Sequence, residues 1–163
     1  MTTTAIMAAL ETLLLATKDS SDNNYFSNTA EVKAVDVGSY QMLDKGVIFA
    51  AVLLPGKFDA QTGSYESLHR DDVLIDLFAR YNKDASTNWD NFALFRDAIR
   101  DKLEAYPSLN SLTGVQQVLV SADEDPYPVV KGKSPEIAPI FIGQRLRVTV
   151  SQRVALTEGE YGT

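Results

Sequence analysis

His69 is the one histidine in this chain, so any imidazole catalysis would have to run through it. A histidine acting as general base needs an orienting carboxylate and a nucleophile at its side, and the sequence offers only Asp71 and Asp72 nearby. It reads as an exposed histidine at the entrance to a strand. Gly132-Lys133-Ser134 has the ending of a phosphate-binding P-loop, but that motif requires a glycine where Tyr127 stands and a helix where Pro135 follows. The motif is rejected. Asp123, Glu124 and Asp125 carry enough oxygen for a hard cation, yet no EF-hand spacing or terminal bidentate glutamate follows them. They read as a solvated turn. Asp97 and Asp101 share a helix face with Arg96, Arg100 and Glu104 around them, which is a solvent-facing charge lattice rather than an acid–base pair. A carboxylate enzyme built on that pair, or on Asp72 with Asp76, would need a deep pocket holding both acids. With no cysteine, thiolate catalysis, disulfides, cysteine-type zinc sites and iron–sulfur clusters are all excluded. The residues read as a protein that is not an enzyme and takes no cofactor and no metal.

Two strand faces carry more information. Asp72, Asp76 and Arg80 fall on one face of an alternating run, and Arg145, Arg147 and Arg153 on one face of another. If these strands are neighbours, opposite charges meet across them, each pair worth only about 0.2–1 kcal/mol. The face is then a charge ladder on an exposed sheet, a subunit interface, or a lining that faces a polyanion such as DNA. The candidate interface set is therefore Asp72, Asp76, Arg80, Arg145, Arg147 and Arg153. Tyr25, Phe26, Lys57 and Phe58 join it as apolar or basic side chains in polar stretches.

The elements that must position these residues are legible from periodicity. Ile6, Met7, Leu10, Leu13 and Leu14 recur at helical spacing, which predicts an amphipathic helix over 4–17 with Thr3 or Thr4 as cap. Residues 18–30 are polar and turn-rich and predict an exposed loop, whose Tyr25 and Phe26 either tuck onto the core or touch another subunit. Glu31 to Val37 suggests a short strand, and the apolar run Gly46 to Leu54 a strand buried on both faces. Residues 56–69 are polar with two glycines, too long for a hairpin turn, and read as a long loop or contact arm. Val73, Ile75, Leu77, Ala79 and Tyr81 alternate with Asp72, Leu74, Asp76, Phe78 and Arg80, which reads as a strand, with a helix through Val73, Leu77 and Tyr81 as the alternative. Thr87 and Asp90 approximate a capping box; Trp89, Phe92, Phe95, Ile99, Leu103 and Tyr106 then form the stripe of a long helix that Pro107 ends. Val115 to Ser121 predicts another strand, the proline-rich 122–139 a long loop, and Ile142 to Val154 the cleanest amphipathic strand of all. The tail from about 157 reads as flexible.

The fold class is α+β: a mostly antiparallel sheet of about four to five strands, packed against a long central helix and an N-terminal helix. At 163 residues it is a single domain, 1–163, without internal repeats. The formal charge of −7 disfavours a role whose main work is gripping phosphates. No apolar run approaches 18 residues, and the N-terminal stretch lacks the basic region of a signal peptide, so no membrane span or export signal is expected.

Taken in order, the N-terminal helix, the strand DVLIDLFARY, the helix TNWDNFALFRDAIRDKLEAYPSL, the strand VQQVLV and the final IGQRLRVTVSQRV resemble the tail terminator and neck proteins of long-tailed bacteriophages. The likeness spans about Ala5 to Ala155 and is one of element order and length rather than of an active-site motif. It implies a structural virion protein that forms a ring, commonly a hexamer, at the head-proximal end of the tail. Its partners would be copies of itself, the tail-tube protein and the head connector, with transient non-specific contact with DNA in the channel and none with membrane. It would be assembled in the host bacterial cytoplasm. A head–tail adaptor, a tail-tube protein, or a monomeric assembly module binding through 18–29 or 56–69 are the alternatives.

Overall fold

Leu- and Ala-rich residues of high helix propensity open the chain and wind α1 over Thr3–Leu15. Ile6, Met7, Leu10, Leu13 and Leu14 make its buried stripe. The strands β1 (Val35–Val37), β2 (Phe49–Thr62) and β3 (Glu66–Arg80) follow, then α2 (Asn88–Glu104), β4 (Val115–Ala122), β5 (Tyr127–Val129) and β6 (Phe141–Ala155). This computed structural model describes residues 3–29, 31–38, 47–63, 65–109, 112, 114–130 and 140–155. Gly132-Lys133-Ser134 and the tail expected from 157 lie outside the described residues.

All six strands belong to one sheet of order β1-β2-β3-β6-β4, with β5 also pairing β6. The α+β class is as expected, but the sheet is not. It is mixed and six-stranded rather than four to five mostly antiparallel strands, because β1 runs parallel to β2. Alternating side chains fix which face a residue occupies and are silent on strand direction. The segment between Val37 and Phe49 is longer than the hairpin turn that would have forced antiparallel pairing. Nor is there one central helix. Both helices lie on the same face and divide it, α1 over β1, β2 and β3, α2 over β4 and β6. Their side chains merge with Leu53, Val73, Ile75, Leu77, Leu146, Val148 and Val150 into one core.

Phe95 is the hub of that core. Its ring meets Tyr25, Phe26, Phe49 and Phe92 at centroid distances of 5.2, 5.6, 4.6 and 6.1 Å. Tyr25 and Phe26 therefore fold back from their polar loop, and Phe26 is 5% exposed. The loop itself turns on Asp19, whose carboxylate accepts from the backbone N–H of Ser21 and Asn23. The capping box is corrected too: Thr87 makes no side-chain cap bond to α2. Asn88 organises that end instead, accepting from the N–H of Asn82 and donating to the carbonyls of Asn82 and Ala85. Trp89, expected on the buried stripe, is half exposed, while Phe92, Phe95, Ile99 and Leu103 are buried as the spacing required.

The largest correction concerns 56–69. These residues are not a loop: β2 and β3 run on as a long arm, with β6 beside β3 as far as Ala155, interrupted only by a bulge between Pro55 and Phe58. The polar composition concealed them, since Pro55 to Thr62 are exposed throughout and show no alternation. Part of 122–139 is also strand, because β5 adds to β6 there. Gly143 makes this possible, its bare Cα letting the Phe78 and Tyr127 rings close to within 3.2 Å of where a Cβ would stand. Phe95→Ala is expected to cost about 3–5 kcal/mol of unfolding free energy, read as a drop in urea midpoint. The same change at exposed Leu94 should move the midpoint little.

Candidate functional site

The face of the sheet without helices gathers most of the charged residues singled out in the sequence. Register places Asp76 directly opposite Arg145, Leu74 opposite Arg147, Asp72 opposite Thr149, and Leu68 opposite Arg153. The cross-strand meeting of β3 and β6 is therefore real. Arg145 clamps Asp76 with two bonds, Nε to Oδ1 at 2.7 Å and Nη2 to Oδ2 at 3.0 Å. Asp76 is only 3% exposed while Arg145 is 44% exposed, so the acid is desolvated and its clamp reaches in from solvent. That bond to Asp76 holds the Arg145 guanidinium above its ordinary pKa. β5 leans over the pair, and the Tyr127 hydroxyl is pushed above its usual value. Burial contributes most, Asp76 and Glu124 add to it, and Arg145 pulls the other way.

Further along the same face, Asp72 accepts from Thr149 Oγ1 at 2.8 Å and lies 3.8 Å from Arg147 Nη1. Arg147 turns its other nitrogen to Asp123 Oδ2 at 2.6 Å, and its Nε is buried without a hydrogen-bond partner. Asp123, read as a solvated turn, is thus an anchor for the β4–β5 connection. Arg153 pairs with Glu66 at 2.6 Å beside the tip of the arm. Each of the three arginines meets an acid. The stripe is compensated rather than an open run of positive charge.

Three members of the candidate set are elsewhere. Arg80 donates its Nε to the carbonyl of Val47 at 2.8 Å and lies 4.9 Å over the Phe141 ring, so it braces the end of the sheet. Tyr25 and Phe26 belong to the core and present no interface. This is a correction: as flanks of a polar loop they looked displaced, but the aromatic pocket around Phe95 gives them more apolar contact than solvent could. Lys57 and Phe58 do stand on the arm. Phe58 is 59% exposed, with its edge against His69 at 5.3 Å, and Tyr65 in the turn is 83% exposed. His69 sits mid-arm in β3 rather than at a strand entrance.

Two features of the site were not read from the sequence. Asp71 is buried on the helix-bearing face, where Thr3 Oγ1 at the start of α1 donates to it at 3.1 Å and locks the base of the arm to the body. Tyr65, in a run taken for a loop, is the most exposed large apolar side chain in the described residues. The depressions formed by the described residues include neither Asp72 with Asp76 nor Asp97 with Asp101 in their linings. A depression of about 450 Å³ near the arm is lined by Tyr65, Glu66, Gly114, Val115, Gln116 and Arg153. A smaller one of about 230 Å³ lies between α2 and β4, beside Arg96, Arg100 and Gln144. Asp97 is bridged by Arg96 and Arg100, as the helix lattice implied. Among the described residues no group of three or more acids or histidines is placed to hold a metal ion. None of their helices is long and apolar enough to cross a membrane. No protein-family model matches the chain, and no curated protein matches it either.

Arg145→Ala is expected to destabilise the fold by about 1–2 kcal/mol, because it takes a half-exposed, two-pronged clamp from a buried carboxylate. Arg153→Ala, breaking a half-exposed pair, should cost under about 0.5 kcal/mol. Urea denaturation at neutral pH checks both. A second expectation follows from Tyr127. Its folded-state pKa is raised, so its contribution is fully present below the unfolded tyrosine value of about 10 and is lost as pH rises through the folded value. Stability should fall on the alkaline side, and Tyr127→Phe should flatten that fall in a pH series of denaturation midpoints.

Proposed function

We propose that this chain is a structural ring subunit of a bacteriophage tail, of the terminator type that caps the tail tube and joins it to the head connector. The observation that carries the reading is the arm. Eight successive β2 residues, Pro55 to Thr62, are exposed. With the facing stretch of β3 they carry Phe58 and Tyr65 away from a body whose own core is complete without them. Here β3 is held by β6 on its other side, so the β2 stretch is a free sheet edge, and exposed aromatics on such an edge are the mark of a contact surface rather than of a stabilising element. The order of elements that resembles terminator and neck proteins supports the same reading. Its partners are then further copies of the chain, the tail-tube protein and the connector, met in the host bacterial cytoplasm and retained in the virion.

A ring subunit must carry two different, complementary surfaces, since head-to-tail contact closes only when unlike patches meet. The arm supplies one of them. The compensated arginine face is suited to lie against neighbours or line a channel without gripping the phosphates that pass, which would otherwise slow DNA passage.

Replacing residues 59–70 by an Asn-Gly turn, so that Phe58 and Asp71 flank a two-residue hairpin, should leave a folded monomer by circular dichroism. Light scattering behind size exclusion should then show that the intact chain assembles and the shortened one does not. A strictly monomeric intact chain at every concentration, with or without tail-tube protein, would sink the ring reading.

A further inference from the structure

β4 is an edge strand with a bulge between Val115 and Gln117 at its start, beyond which Gln117–Ala122 runs on regularly. One side pairs with β6; among the described residues no strand pairs with the other. Its alternate N–H and C=O groups therefore point outward over eight residues, VQQVLVSA, with no charge and no proline among them. Leu119 is 52% exposed on it. Natural sheets blunt such edges with charge, proline, bulges or brevity, and an edge left plain is one that another strand will cover. The opposite side of the sheet differs. β1 covers β2 only at Ala51, Val52 and Leu53, which leaves the arm stretch of β2 as a second open edge.

The registers of the intervening strands relate these two edges. Gln117 pairs with Ser151, Ser151 with Arg70, and Arg70 with Asp59. Val115 leads in the same way through Gln152 and His69 to Ala60, and Ala122 through Leu146 and Ile75 to Leu53. So Val115–Ala122 lies level with Leu53–Ala60, and this is the stretch where β1 stops covering β2. Direction agrees as well. β2, β3, β6 and β4 alternate antiparallel, so β4 and β2 run in opposite senses within one copy. A rotation that sets copies side by side preserves those senses and brings β4 of one against β2 of the next as an antiparallel pair.

Resting on the ring reading above, we infer that the seam between neighbouring copies is sheet continuation: the outer edge of β4 in one copy pairs with the arm stretch of β2 in the next. Pairing at this equal height gives a step from copy to copy without an axial component, the condition under which the assembly closes on itself. Pro55, Lys57 and the bulge between Pro55 and Phe58 make this stretch of β2 the guarded edge of the two, so two β2 edges oppose each other doubly and the plainer β4 edge is the better match.

The absence of cysteine makes the test clean. Within one copy the β2 and β4 edges are three strand spacings apart, roughly 14 Å, too far for a disulfide. Gln117→Cys and Asp59→Cys, both on exposed residues of the same sheet face, are combined in one chain and oxidised with copper phenanthroline. A ladder of covalent oligomers ending at the ring mass is expected, with no ladder from either single variant. Leu119→Lys should raise the concentration of half-assembly by about tenfold or more, and hydrogen exchange in the unmodified chain should show the outward-facing alternate β4 amides fast as monomer and protected on assembly, while those bonded to β6 are protected throughout. Assembly without the mixed crosslink, or a Gln117→Cys dimer alone, overturns the seam while leaving self-association standing. Outward-facing β4 amides already protected in the monomer overturn it too. Failure of the unmodified chain to assemble at all removes the ring reading beneath it.

Discussion

The pairing of β3 with β6 is the interaction on which the rest of this structure depends. Fifteen residues face fifteen without a break, from Glu66 opposite Ala155 to Arg80 opposite Phe141. Every other strand is attached to one of these two, or in the case of β1 to a strand that is. Register is what this pairing settles. A slip of one residue in either strand would turn its polar face into the helix-packed core, carrying Asp76 or Arg145 in among Leu53, Ile99 and Leu146. The two-pronged clamp between Asp76 and Arg145 sits near the middle of the ladder and forms only in the observed register. It contributes specificity more surely than net stability, since well-packed apolar side chains could fill the same space.

From that ladder the two faces acquire different tasks. Val73, Ile75, Leu77 and Ala79 of β3 and Ile142, Leu146, Val148 and Val150 of β6 point to the side of α1 and α2 and join their core. The other face has a smaller apolar cluster of Val47, Ala50, Val52, Phe78 and Phe141 at one end and the charged ladder beyond it. This face bears arginines on a chain of charge −7, and each is met by an acid: Asp76, Asp72 with Asp123, and Glu66. The basic appearance of QRLRVTVSQR in sequence thus dissolves once β3 and the β4–β5 connection are set beside it.

How far the sequence disclosed this depends on where each signal originates. The stripes of α1 and α2 and the alternation of β6 were legible because one side of each element is buried, and burial on one side is what a periodic pattern records. The Asp72–Asp76 and Arg145–Arg147 faces were legible for the same reason. Direction was not, so β1 lying parallel to β2 went unseen. The arm was hidden because residues exposed on every side carry no pattern, and a strand held by its backbone ladder alone looks like a loop. Tyr25 and Phe26 were ambiguous for the opposite cause: their neighbours in sequence are polar, and the pocket that takes them is made by Phe49 and Phe95, distant along the chain.

An exposed ladder of backbone groups also bears on energetics. Each backbone hydrogen bond gained at a seam contributes only about 1 kcal/mol net, and ordering two edges offsets part of that, so one such contact between two copies is weak. A closed ring changes the arithmetic. Every copy then donates one edge and receives another, and the last contact forms within a single assembled object, where effective concentration is high. Removing a copy means breaking two seams at once. Modest edges at matching height can therefore hold a ring firmly while leaving free monomers soluble before assembly. A stronger edge would bring the aggregation that β4, plain as it is, already risks. A subunit that must wait until its neighbours are in place is served by contacts that are weak singly and cooperative in a circle.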